Sequence, residues 1–320
     1  MKKKNIFDNS GGTYYSSKKK SKGFLIIFLL VLVIGTALGV TIYKLIGEDK
    51  FTSKTPIVVE QDNEEEPMPE VIEADPMDLV ENSNHIHKAA DYAYSTKDVR
   101  NWITEVEPYD GEKIAFLTFD DGPSPQNTAK ILDILKEKEA VATFFTIGSS
   151  IENSNSSGDV LNRILDEGSA IALHSYTHVY EKLYPDNTAD KEYIKQEMDQ
   201  LQEKIREVTG KDQFKSHVLR YPGGHMSWKE IDVADAYLGE DGIEYIDWNA
   251  MNGDSEPTAR RPKDPEALAA FVMESLVFTR VKDVVVVLMH DAENKGMTTE
   301  SLPMIIDTLR SEGYKFGILK

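Results

Sequence analysis

Residues 113–122 read KIAFLTFDDG, an apolar run closed by two aspartates and a glycine. Lys113–Phe119 reads as a strand, with the acidic pair standing at its carboxyl end. Outward from it, further short apolar runs read as strands: Val141–Thr146, Ala170–His174, Val218–Arg220, Glu244–Trp248, Val284–His290 and Tyr314–Leu319. Between them lie amphipathic stretches near Asn127–Lys138, Val160–Glu167, Asp190–Val208, Lys229–Leu238, Pro265–Phe278 and Thr299–Glu312. Seven strands separated by six helices imply parallel strands joined by right-handed crossovers. The stretch of about 210 residues is short for eight β/α units, which typically need ~250. The expected fold is therefore α/β, a distorted or incomplete (β/α) barrel of about seven parallel strands. No glycine-rich dinucleotide or P-loop fingerprint stands at any strand-to-helix turn.

Parallel α/β folds gather their chemistry at the carboxyl ends of strands. Asp120-Asp121-Gly122 follows the first strand, His174-Ser175-Tyr176-Thr177-His178 the third and Arg220-Tyr221-Pro222-Gly223-Gly224 the fourth. Asp254 lies past the fifth, and the sixth ends in His290-Asp291. Each has a plain alternative. Two histidines four apart can be unrelated, an acidic turn needs no function, Arg220 can be an ion-pair partner, and His290 can be a satisfied core histidine. Their joint placement at strand ends is what points to a site. The chain has no cysteine, so any metal site must use histidine and carboxylate, which suits a borderline divalent ion such as zinc.

Four segments, TFDDG (Thr118–Gly122), HSYTH (His174–His178), RYPGG (Arg220–Gly224) and LMH (Leu288–His290), resemble in order the motifs of the NodB-type polysaccharide deacetylases, carbohydrate esterase family 4. ATFFTIG (Ala142–Gly148) and EGSAIALHS (Glu167–Ser175) support the likeness, which spans roughly residues 112–320. The resemblance implies one divalent metal ion, zinc first with cobalt, nickel or manganese as alternatives, held by Asp121, His174 and His178. It implies Asp120 as general base with Arg220 holding its carboxylate, and His290 as general acid paired with Asp254. The backbone N–H of Tyr221 would meet the oxyanion, while Leu288 and Trp248 would line the substrate pocket. One motif departs from the family's Asp-x-x-Asp-Trp-like pattern. Met251 stands for the first Asp, followed by Asp254 and Ser255, and Asp247-Trp248 offers another register. Asp254 is preferred, because the family's Asp-Trp lies in the loop and not inside the strand. A two-carboxylate glycosidase is a rival, but it gives no reason for three histidines at strand ends. A catalytically inactive wall-binding module with the same fold is a second.

The expected activity is removal of N-acetyl groups from a wall polysaccharide, first of all N-acetylglucosamine of peptidoglycan, with chitin oligomers, poly-N-acetylglucosamine or acetyl xylan as alternatives. The amino-terminal part of the 320-residue chain is of different character. Residues 1–22 carry seven lysines against Asp8, and Gly23–Tyr43 is twenty-one residues without a charge. A helix of that length would be about 30 Å long, the thickness of a bilayer core. A transmembrane signal anchor over 23–46 is expected, with a basic cytoplasmic tail over 1–22 and the catalytic domain outside, a single-pass cell-membrane protein. Glu48–Glu81 holds twelve acidic residues, two lysines and four prolines, and reads as a disordered spacer. The expected domains are thus a linker and lead-in over 47–108 and a deacetylase domain over 109–320. In the lead-in, Tyr92, Tyr94 and Trp102 are expected to pack on the domain, and His85 and His87 to lie in a solvated linker end. The net charge of −19 argues against nucleic acid as a partner, and no protein partner is expected.

Overall fold

The computed structural model describes residues 74–320. The first strand, β1 (Ala93–Tyr94), runs parallel to the last, β10 (Ile318–Leu319). The main sheet is formed by β2 (Ile114–Asp120), β3 (Ala142–Ile147), β4 (Ala170–Ser175), β5 (Val218–Leu219), β6 (Glu244–Tyr245), β7 (Ala250–Met251) and β8 (Val284–His290). These strands follow the order β6-β5-β4-β3-β2-β8-β7, and every pairing is parallel. A further strand, β9 (Lys315–Phe316), pairs with the start of β2, where the β3 ladder has not yet begun. The path does not close, since β6 and β7 are its two ends. The result is a curled, incomplete barrel.

The central strands are apolar because both of their faces are covered. Every residue of β2, β3 and β4 is buried, and so is β8 up to Met289. Each fully buried Val, Leu, Ile or Phe side chain contributes about 1.5–3 kcal/mol relative to exposure. The longest helix among the described residues, Lys191–Thr209, starts at Asp190, whose carboxylate accepts from Tyr193 N, and stops at Gly210 with φ +69°. Its apolar stripe of Ile194, Met198, Leu201 and Ile205 is buried in the core.

Two expected strands come out differently, and one strand was not expected. Glu244–Trp248 does not continue as a strand past Tyr245, because Arg220 takes the carbonyls of Ile246 and Asp247 at 3.1 and 3.2 Å. The following strand, β7, is absent from the sequence reading, being two residues long between asparagines. Tyr314–Leu319 is two strands, divided at Gly317, where a side chain would press on Ile114, Phe116 and the Tyr92 carbonyl. In the lead-in, Tyr94 meets Phe116 edge-on at 5.5 Å, while Ile86, Ala89 and Val99 are fully buried. His85 is not a solvated linker residue. It is buried beside Ser83 Oγ at 2.7 Å, and burial, with the Lys320 and His87 charges, lowers its pKa to about 4.

The membrane expectation needs correction. Residues 23–46, like the basic tail and the spacer up to residue 73, lie outside the described residues. No helix of the described residues is long and apolar enough to cross a membrane. The nineteen-residue helix Lys191–Thr209 shows why, since its outward face is charged along its length. Among the described residues the fold is the curled parallel sheet with no membrane-spanning helix, and neither a membrane partner nor single-pass placement follows from it.

Candidate active site

The carboxyl edge of the sheet assembles the site from five separate segments. Asp120 is the last residue of β2, in register with His290 at the end of the neighbouring β8. Asp121 then turns into the left-handed region with φ +77°, which Asp tolerates better than most residues. Gly122 follows because a Cβ there would collide with the carboxyl of Asp291. Asp291 is itself buried, accepts from the Thr128 hydroxyl and donates its N–H to the Asp120 carbonyl at 3.1 Å. Burial pushes its carboxyl up to about 7, and the Asp121 and Asp120 charges add to this against the opposing Thr128 bond.

Asp121 Oδ1 lies 3.6 Å from Nε2 of His174 and 3.6 Å from Nε2 of His178. One ligand atom from each of the three residues lies within 4.8 Å of the others. His174 comes from β4, and its Nδ1 is 2.7 Å from the Arg220 carbonyl. That bond leaves Nε2 as the free lone pair and fixes the ring, the usual outer contact of a metal-binding histidine. His178 sits at φ +56°, its N–H donating to Ser175 Oγ at 3.0 Å. Burial, and then the nearby His174, lower the His178 pKa against the pull of Asp121 and Asp120, so the neutral ring is favoured. Asp121 Oδ1 is buried with no hydrogen-bond donor among the described residues. Two imidazole lone pairs and an unpartnered carboxylate oxygen repel one another unless a cation lies between them. The residues therefore fit a divalent metal ion.

On one side of this cluster stands a buried ion pair. Arg220 Nη1 donates to Asp120 Oδ1 at 2.8 Å and to Thr118 Oγ1 at 2.7 Å, while Asp120 Oδ2 lies 3.9 Å from His174 Nε2. The guanidinium is fully buried, over the ring of Phe145 at 4.1 Å and near that of Trp248 at 5.6 Å. Its remaining donors go to the Ile246 and Asp247 carbonyls, so it is satisfied. Tyr221 is buried, its hydroxyl donating to Asp235 at 2.9 Å, and its N–H meets no protein acceptor among the described residues.

On the other side is His290. Its Nδ1 is 2.8 Å from Asp254 Oδ1, and its N–H donates to Asp254 Oδ2 at 3.0 Å. Thr298 Oγ1 also donates to Asp254 Oδ2 at 2.6 Å, and Lys295 Nζ to the Asp254 carbonyl at 3.0 Å. Burial opposes the charge on both partners, but their mutual bond outweighs it. The His290 pKa is raised above 6.5, and that of Asp254 is lowered below 3.8. Asp247, the other register, instead accepts from His225 N at 3.0 Å. Leu288 pairs in register with Met251 and Thr118 and is nearly buried. Trp248 lies against Gly224 and lines a cavity of about 450 Å³ with Met251, Phe271 and Phe278. The sequence reading overlooked Thr298 and Lys295, whose only signal is their position in and before the helix that follows His290.

A cluster ready for a cation, between a carboxylate on one side and a histidine–aspartate pair on the other, is the equipment of a metal-dependent hydrolase. The Polysaccharide deacetylase family profile matches residues 108–237. The chain is 32% identical over 204 residues to a peptidoglycan-N-acetylglucosamine deacetylase of Bacillus cereus, covering 64% of this chain and 68% of that one. It is 29% identical over 238 residues to a chitooligosaccharide deacetylase of Rhizobium leguminosarum, covering 69% of this chain and 98% of that one. Among solved structures, a Streptococcus mutans CE4 esterase superposes with a TM-score of 0.72 at 40% identity, over 77% of this chain and 100% of that one. The chain belongs to the polysaccharide deacetylase family, the NodB-type carbohydrate esterases of family 4. It is a metal-dependent hydrolase that deacetylates polysaccharide.

Proposed function

We propose that the protein deacetylates N-acetylglucosamine residues of peptidoglycan, releasing acetate and leaving a free amine, with zinc as the metal. The observation that carries this reading is the arrangement of Asp120–Arg220 and His290–Asp254 on either side of Asp121, His174 and His178. Similarity to the Bacillus cereus enzyme supports the choice of sugar. Asp121, His174 and His178 would hold the ion. When bound, it supplies a lowered pKa for water and polarisation of the acetamide carbonyl. Asp120 takes the proton of the attacking water, and Arg220 keeps that carboxylate in place. The N–H of Tyr221 donates to the oxyanion that develops on the carbonyl. As the C–N bond breaks, His290 gives its proton to the departing nitrogen, which is a poor leaving group as an anion. Leu288 would help line the pocket for the acetyl methyl.

Purified protein incubated with defined muropeptides should produce species lighter by one acetyl group per glucosamine, with acetate in equal amount and no new reducing ends. Chitin oligomers serve as the comparison. Faster turnover of chitin oligomers than of muropeptides would displace peptidoglycan as the substrate.

The raised pKa of His290 sets a pH dependence. Its protonated form is favoured in the folded protein, so this contribution to stability is complete below 6.5 and is lost as pH rises through the higher folded value. Asp254 contributes above 3.8 and loses its part as pH falls through its lowered folded value. Asp254→Asn removes the charge that holds the proton on His290. The alkaline limb of kcat against pH should therefore move to lower pH in this variant. An unmoved limb would detach His290 from the proton-donating role.

A further inference from the structure

Resting on the three-ligand reading above, we infer that Glu197 is a positioning residue of the metal centre, holding the loop that follows His174 and carries His178. Glu197 lies on the helix Lys191–Thr209, inside the stripe of Ile194, Met198, Leu201 and Ile205, and is 1% exposed. A carboxylate on an apolar stripe is costly unless its oxygens are bonded. Its Oε2 accepts from Tyr176 N at 2.8 Å and from Thr177 N at 2.6 Å, and its Oε1 from Thr177 Oγ1 at 2.9 Å. All three donors belong to the two residues between Ser175 and His178.

The need for such a partner follows from the loop's shape. β4 ends at Ser175, so the N–H groups of Tyr176 and Thr177 have no ladder to join. The chain must then reach φ +56° at His178, a conformation a histidine side chain enters only when its surroundings impose it. Two successive N–H groups aimed at one carboxylate make strong, charge-assisted bonds that set the direction of the turn. From the opposite side, Ser149 N donates to the Tyr176 carbonyl at 2.8 Å, and the Tyr176 ring lies over Gly148. The loop is thus gripped between the segment after β3 and the helix, and among the described residues the hydrogen bonds from the helix to Tyr176 and Thr177 are those of Glu197. If it slackens, His178 relaxes from its left-handed backbone and its Nε2 leaves the position 3.6 Å from Asp121 Oδ1.

The test is zinc affinity of the full chain, measured by competition with a chelating dye, beside the melting temperature of the metal-free protein. Glu197→Ala should bind zinc on the order of 10–100-fold more weakly, the range typical for loss of outer groups that orient metal ligands. Its kcat should largely return at saturating zinc. Glu197→Gln, which keeps an oxygen for the Tyr176 and Thr177 N–H groups, should recover most of the affinity. Wild-type affinity in Glu197→Ala overturns the inference. If Glu197→Ala does not fold, Thr177→Val, which removes the Oε1 bond together with the long 3.4 Å bond from Val179 N and leaves both Oε2 bonds, decides. A several-fold loss of affinity supports the inference, and an unchanged value overturns it. His178→Ala is measured in parallel. Wild-type zinc affinity in that variant would count against the three-ligand reading itself, and not against the positioning role.

Discussion

Asp120→Asn should keep its metal and lose nearly all turnover. Asparagine has the size of aspartate and retains an oxygen for Arg220 Nη1, now at 2.8 Å, but it cannot take a proton from water. Loss of a general base typically lowers rate by ~10²–10⁴-fold. Removing one member of a buried ion pair is also destabilising, by about 3–5 kcal/mol. Arg220 keeps its bonds to Thr118 and to the Ile246 and Asp247 carbonyls, so the fold should survive with a lower melting temperature. His290→Ala separates base from acid. It should leave the metal bound and hurt an N-acetylated sugar far more than an aryl acetate, whose phenolate departs without protonation. Asp120→Asn should lose both activities. Should His290→Ala lower the two equally, or strip the metal, His290 is a packing residue or a ligand, and the proton donor lies elsewhere.

His174→Ala or His178→Ala should remove both bound metal and activity. Each takes one of only three ligand atoms from a cluster whose Asp121 oxygen has no other partner among the described residues. The loss should exceed the ~10–100-fold in affinity that removal of an outer hydrogen bond costs. Chelation of the unaltered protein should abolish turnover, and zinc or cobalt should restore it, whereas neither ion should rescue the two variants. Metal content by elemental analysis, read with the rate, checks this. A metal-free preparation that still releases acetate would sink the mechanism.

Much of the site was legible because its groups lie in short contiguous segments at strand ends. Asp120 and Asp121 close an apolar run, His174 near the end of one strand and His178 just past it lie four residues apart, and His290 ends a row of valines. Strand character is a local property of such runs, and a parallel sheet then brings their carboxyl ends to one edge. Sequence alone therefore determined the incomplete parallel α/β sheet, though not the transmembrane helix expected with it, and it named the three residues of the candidate cluster and preferred the register that pairs Asp254 with His290. Other features depended on partners far along the chain. Whether Asp247 or Asp254 meets His290 is decided by Arg220, which draws residues 246–247 out of the sheet and lets β7 form beyond them. Glu197 stands twenty residues from Thr177, and helical periodicity marks it only as a charge in an apolar stripe. The left-handed backbone at Asp121 and His178 is likewise invisible in sequence, since neither residue is glycine. Such conformations persist only where surrounding contacts over-determine them, and those contacts exist only once the sheet has curled.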